Sequence, residues 1–196
     1  MYFKNFYTHL MDQLNEYFET NGISAYREAG NWTKIITKNQ NGLSLIDLAL
    51  MKTFPNAKLA NEYYHIDNCI YENINEGCKK INNMNFHQWR LIAAVEHENA
   101  WNDWSDELVK LTYIQCPLRV IISYGNIDYE EGNYVEALHH ANQVAQVIHL
   151  ENYIHENQEF ALIFGPRLAD LKNNSKIVDL YKAYIWNGNE FEKYMK

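Results

Sequence analysis

Leu91-Ile92-Ala93-Ala94-Val95-Glu96-His97-Glu98 decides how the rest of the chain is read. Five consecutive apolar residues suit a strand buried on both faces, and such a strand needs a physical reason to close on two acids. Alternation throws Glu96 and Glu98 onto one face and His97 onto the other. Two carboxylates held a few ångströms apart repel each other and each prefers water, so the pair is costly unless a proton or a cation neutralises it. A divalent metal is the expectation here. The competing reading is that both acids are simply the solvated end of an edge strand.

Downstream, Asn102 or Asp103 caps a helix running to about Ile114, Pro117 opens a strand over 118–124, and Gly125-Asn126 closes it. A helix over 133–150 and strands at 160–164 and 177–186 follow. Upstream, Phe3, Phe6, Tyr7, Leu10, Met11, Leu14, Tyr17 and Phe18 recur at helical spacing across 2–20, and Asn21-Gly22 stops them. The β-rich run Trp32 to Thr37 predicts a strand, Asn39-Gln40-Asn41-Gly42 a hairpin turn, and Leu43 to Met51 the returning strand with Asp47 at its middle. After the Phe54-Pro55-Asn56 break, Leu59, Tyr63, Ile66, Ile70 and Ile74 predict an inserted helix over 57–80 that ends near Gly77. Phe86 to Glu98 is the next strand.

With 196 residues and 47% hydrophobic content, the chain can fill one core and is too short for two ordinary ones, so a single domain over 1–196 is expected. A net charge of −8 argues against broad electrostatic adhesion to nucleic acid or anionic membrane. It does not exclude a nucleic-acid enzyme, whose metal-binding acids themselves lower the total. Cys69, Cys78 and Cys116 are odd in number and form no CxxC, which suits a reducing, cytoplasmic setting and no zinc site. Met1 to Phe6 lacks the apolar core of a signal peptide, and no apolar run approaches the roughly 18 residues that span a bilayer, so no membrane association is expected. Phosphate-loop, dinucleotide-binding and nucleophile-elbow motifs are missing, and His97-Glu98-Asn99-Ala100-Trp101 lacks the second histidine of a zinc protease.

This order of elements, with Asp47 in the second strand and two alternating acids ending the third, resembles the PD-(D/E)xK nuclease superfamily. The pattern of that family is an N-terminal helix, a three-stranded meander carrying an Asp and then Glu-x-Lys, a crossover helix and a fourth strand. Leu45-Ile46-Asp47 stands in the place of Pro-Asp, and Ala94-Val95-Glu96-His97-Glu98 in the place of Glu-x-Lys; the likeness covers roughly residues 1–150. It implies an α/β, restriction-endonuclease-like central mixed sheet flanked by helices, with an inserted helix after the second strand. Two positions depart from the pattern. Ile46 replaces Pro, and Glu98 stands where Lys is usual, a Glu-x-Glu form that some restriction enzymes carry.

The resemblance implies a metal-dependent nuclease acting on phosphodiester bonds of DNA, ahead of RNA, with Asp47 and Glu96 sharing Mg²⁺ or Mn²⁺ and the backbone carbonyl of His97 completing the shell. Glu98 then orients or deprotonates the attacking water, and Lys110 supplies the missing cation from the crossover helix, as migrated lysines do in some members. Structural readings stand beside these. Asp47 can accept hydrogen bonds in a turn, the His97 ring can pack on the opposite face, and Lys110 can be a solvated helix lysine. The whole chain can also be an inactive descendant, or an acidic interaction protein that binds a protein or nucleic-acid partner. A homodimer is expected of a symmetric double-strand cutter, although no heptads announce one.

Overall fold

Phe3, Phe6, Leu10 and Leu14 form a stripe along Tyr2–Asn21, and burying it against a sheet makes that segment helix α1. The helix ends at Gly22, whose positive φ of 66° lets its N–H reach back to the Phe18 carbonyl. The computed structural model describes all residues except 39–41, 64, 74–78, 82–83, 87–88, 100–102, 131, 168, 170, 172–175 and 196.

Its sheet contains β1 (Lys58–Tyr63), β2 (Ile66–Asn73), β5 (Trp89–His97), β6 (Leu118–Gly125), β7 (Glu159–Pro166), β8 (Lys182–Trp186) and β9 (Phe191–Lys193), in the order β1-β2-β5-β6-β7-β8-β9. Strands β3 (Lys79–Ile81) and β4 (Met84–Phe86) pair separately as a short hairpin between β2 and β5. The first three sheet strands are an antiparallel meander. From β5 to β7 the strands are parallel, joined by crossover helices α4 (Trp104–Thr112) and α5 (Val135–Val147), and β8 and β9 return antiparallel. The parallel centre explains the continuous apolar runs, because both faces are covered and all eight residues of β6 are buried.

One face carries α1, α2 (Ala29–Ile36), α3 (Leu45–Thr53) and α6 (Ile177–Leu180), with Phe6, Leu10, Trp32, Leu50, Val95 and Val120 in its core. The opposite face carries α4 and α5 over Ala94, Trp104, Leu108, Ile121 and Phe160. The chain is therefore α/β, a seven-stranded mixed sheet flanked by helices. Among the described residues, no helix is long and apolar enough to cross a membrane.

Four expected elements differ in the structure. The strand expected over 177–186 begins as helix α6 over Ile177–Leu180, and only Lys182–Trp186 pairs, as β8. Trp32 to Thr37, read as a strand from its β-branched residues, belongs to helix α2, because Trp32 and Ile36 lie four apart and bury together. Leu43 to Met51 is not a returning strand. Ser44 opens helix α3 with a reciprocal capping box to Asp47, and Leu45, Ile46, Ala49 and Leu50 bury at helical spacing. The inserted helix over 57–80 is absent from its described part, which is the β1–β2 hairpin, turning through His65 with φ 63°. Leu59 faces Ile70 and Tyr63 faces Ile66 across that ladder, so apolar positions spaced symmetrically about the turn imitate a helical period. The proposed turn residues 39–41, the helix end at Gly77, Cys78 and the Asn102 cap lie outside the described residues.

Candidate functional site

The end of β5 meets the beginning of β2. Asn68 pairs with Val95 as the last pair of the β2–β5 ladder, and Asp67 and Glu96 are the next residues beyond it on the two strands. The two acids are near enough for the Asp67 charge to push the Glu96 carboxyl up. The backbone N–H of His97 donates to Asp67 Oδ2 at 2.9 Å, which fixes that side chain at the junction.

Helix α4 brings the compensating charge. Lys110 Nζ lies 2.8 Å from Glu96 Oε1, contacts Glu107 one turn earlier on the same helix, and donates to the His65 carbonyl at 2.9 Å. Glu96 is almost wholly buried, and that burial pushes its carboxyl up to about 8; Asp67 and Glu107 add to the shift and Lys110 only partly offsets it. Asp67 is raised too, by burial first. The His97 N–H and Lys110 oppose that shift, and Glu107 and Glu98 reinforce it. Burial disfavours the Lys110 ammonium, but hydrogen bonds to Glu107 and Glu96 outweigh it and raise the group. Glu96, Glu107 and Asp67 thus share one ammonium on the α4 face, and burial favours the protonated form of Glu96.

The expected site residues are divided by the sheet. Glu96 and Lys110 come together, and Glu98 is near enough to Asp67 to push its carboxyl up; Asp47 does not join them. Its carboxylate accepts from the Ser44 N–H (3.0 Å), Asn61 Nδ2 (3.2 Å) and Asn68 Nδ2 (2.7 Å) at the start of α3. Asn68 shares its face with Val95, in the α1–α3 core, whereas Glu96 alternates to the α4 face. Asp47 and Glu96 therefore cannot share an ion. The His97 ring also points to the α1–α3 side, where Nε2 lies 2.8 Å from the Tyr124 hydroxyl. Burial pushes the ring down to about 3, so it stays neutral and ligates nothing on the α4 face.

Asp67 is the residue that sequence reasoning missed. Its signal, an acid just after the turn of a hairpin whose apolar positions mirror one another, was concealed by the helical reading of 57–80. Neither described cysteine offers an alternative nucleophile, since burial pushes the Cys69 thiol up to about 11 and the Cys116 thiol up to about 12. No family model, curated protein or solved structure matches the chain.

Among the described residues, no three His, Cys, Asp or Glu side chains are grouped to hold a metal ion. Mg²⁺ requires less, since it keeps several waters and is commonly held by one or two carboxylates together with substrate phosphate. Asp67 and Glu96, near each other and both raised first by burial, fit that oxygen-only requirement.

Proposed function

We propose that the protein is a metal-dependent nuclease of restriction-endonuclease-like fold acting on DNA, with Asp67 in the role first expected of Asp47. The observation that carries this reading is the nearness of Asp67 on the second strand of the meander to Glu96 on the third, each the next residue after the Asn68–Val95 pair. The crossover helix α4 supplies Lys110, and β6 is the fourth strand. Helix, meander, crossover and strand thus follow the order of the PD-(D/E)xK family, with both acids at one sheet end. That end is where open α/β sheets bind ligands, outside the carboxyl ends of the parallel strands.

Asp67 and Glu96 would hold Mg²⁺ or Mn²⁺, with the backbone carbonyl of His97 as a further oxygen ligand. A divalent ion held there would supply Lewis-acid polarisation of the phosphate and a more acidic bound water. Lys110 stabilises the charge that grows on the phosphate oxygens, the task usually given to the third-position lysine. Glu98, close enough to perturb Asp67, accepts the proton of the attacking water. The neutral His97 ring positions the end of β5 through Tyr124 and takes no proton.

Plasmid DNA incubated with the protein and Mg²⁺ should be cleaved, and chelation should stop it. Asp67→Asn and Glu96→Gln should each abolish cleavage. Cleavage unchanged in either variant sinks the assignment. Lys110 among the carboxylates also suits a protein that binds without cutting, in which case neither metal nor substitution would produce or remove products.

A further inference from the structure

We propose that the cavity between helices α4 and α5, at the carboxyl end of β6, is a binding site for a guanine base. This site goes beyond the nuclease reading and does not depend on it. The cavity has a volume of about 350 Å³, within the range of roughly 300–1,000 Å³ typical of ligand pockets. It lies outside the carboxyl end of a parallel strand and between two crossover helices, where open α/β sheets take their ligands.

Two small residues let the strand end and the helix face one another closely. Gly125 falls on the same face of β6 as Ile121, and a Cβ added there would lie 3.1 Å from Tyr134 Cδ1 and 3.5 Å from Ala137 Cβ. The slot beside them is walled by two rings, those of Trp104, 1% exposed at the start of α4, and of His140 on α5. Their centroids are 5.4 Å apart and their planes meet at 84°, so a flat ring stacked on one lies edge-on to the other. Aromatic rings favour both contacts.

The order of the polar groups at the rim selects the base. Arg167 Nη1 donates to Asn126 Oδ1 at 2.7 Å; a guanidinium only donates, so this contact fixes the turn of the Asn126 amide and leaves Nδ2 on the side of Glu136. Nδ2 lies 3.4 Å from Glu136 Oε2, longer than the usual N–H···O bond of about 2.7–3.2 Å, and such a contact yields readily to a ligand. Asn126 and Glu136 thus offer one donor followed by two acceptor oxygens. The Watson–Crick edge of guanine is the complement: O6 accepts, and N1–H and the N2 amino group donate. Adenine and cytosine set a ring-nitrogen lone pair against the carboxylate, and thymine and uracil place their one N–H between two carbonyls. Bases taken out of a stack are read in this way, by hydrogen bonds to that edge and by stacking on aromatic side chains.

The base can come from a free guanine nucleotide or from a strand with an unpaired guanine, and the chemistry at the rim is the same. Glu136, Asn126 and His140 are exposed, so the sugar and phosphate stay in solvent in either case. The described lining holds an acid and no lysine or arginine, which suits the uncharged base and keeps phosphate outside.

Calorimetric titration of guanosine, inosine, adenosine and cytidine monophosphates into the protein in EDTA tests this without cleavage. The guanosine nucleotide should bind, the inosine nucleotide, which lacks the N2 amino group, about tenfold more weakly, and the other two more weakly still. Glu136→Gln, at an exposed helix position, should bind the guanosine nucleotide no better than the adenosine one. Ala137→Leu, which fills the slot, should bind neither, and both variants should melt close to wild type. Equal binding of all four nucleotides, or guanosine binding unchanged in Glu136→Gln, overturns the proposal. Oligothymidylate with and without one central guanine identifies the source. A gain of about tenfold from that guanine, lost in Glu136→Gln, marks a strand base, and nucleotide binding without such a gain marks a free nucleotide. Absence of both overturns the proposal. A protein that selects guanine in this way but never cuts defeats the nuclease reading alone; one that cuts and does not select guanine defeats this one alone.

Discussion

Two acidic sites occupy opposite faces of one sheet and have opposite characters. On the α1–α3 face, Asp47 accepts three hydrogen bonds from Ser44, Asn61 and Asn68 and closes the capping box of α3. On the α4 face, Asp67 and Glu96 confront each other with one nearby ammonium, and burial leaves Glu96 favouring its proton up to about pH 8. The first arrangement stabilises a helix start and leaves no oxygen in need of a partner. The second holds buried acids that Lys110 only partly compensates, an arrangement of perturbed groups that clusters at functional sites. A buried acid in an apolar run is thus weak evidence of chemistry until its partners are known.

The difference can be broken by substitution, beginning with the largest effect. Asp67→Asn or Glu96→Gln should lower Mg²⁺-dependent cleavage by more than the roughly 10²–10³-fold that a single stabilising donor contributes, read from rates of plasmid nicking. Lys110→Ala should fall within that range, about 10²-fold, with DNA binding retained. Loss of binding instead would make Lys110 a substrate contact rather than a stabiliser of the reacting phosphate.

Thermal melts in the absence of metal sharpen the contrast further. Glu96 has a folded value raised to about 8 over an ordinary 4.5, so its folded form takes up a proton. The associated stability is complete below about pH 4.5 and is lost as pH rises towards 8, by on the order of a few kcal/mol. Glu96→Gln should flatten this decline; a wild-type melting temperature that rises steadily from pH 5 to 8 contradicts it. The smallest effect belongs to Asp47→Asn, which should cost about 1–3 kcal/mol in denaturant unfolding while metal-dependent cleavage by the folded fraction persists.

Much of this was legible in the chain. The run Leu91 to Val95 announced a strand buried on both faces, and Glu96, Glu98 and Lys110 were recognisable as a group because a strand end and a crossover helix bring them to one face. Helices α1, α4 and α5 followed from apolar spacing, as did β6 from its continuous run. What failed was the region from 32 to 73. Its β-branched residues lie in helix α2, and its apolar period belongs to a hairpin, because tertiary burial overrides propensity and the β1–β2 ladder places Leu59 on Ile70. One local signal was available and decisive: Ser44-Leu45-Ile46-Asp47 ahead of an apolar run is a capping box, which makes Asp47 an N3 helix residue rather than a strand acid. Asp67 had no such local mark, since its importance comes from register with a residue 29 positions away.

The central claim is that Asp67 and Glu96, and not Asp47, form the metal site. Calorimetric titration of Mn²⁺ into wild type, Asp67→Asn, Glu96→Gln and Asp47→Asn at pH 8 tests it most directly. The account predicts binding heat for wild type and Asp47→Asn and none for the other two. Binding lost in Asp47→Asn, or kept in Asp67→Asn, contradicts it.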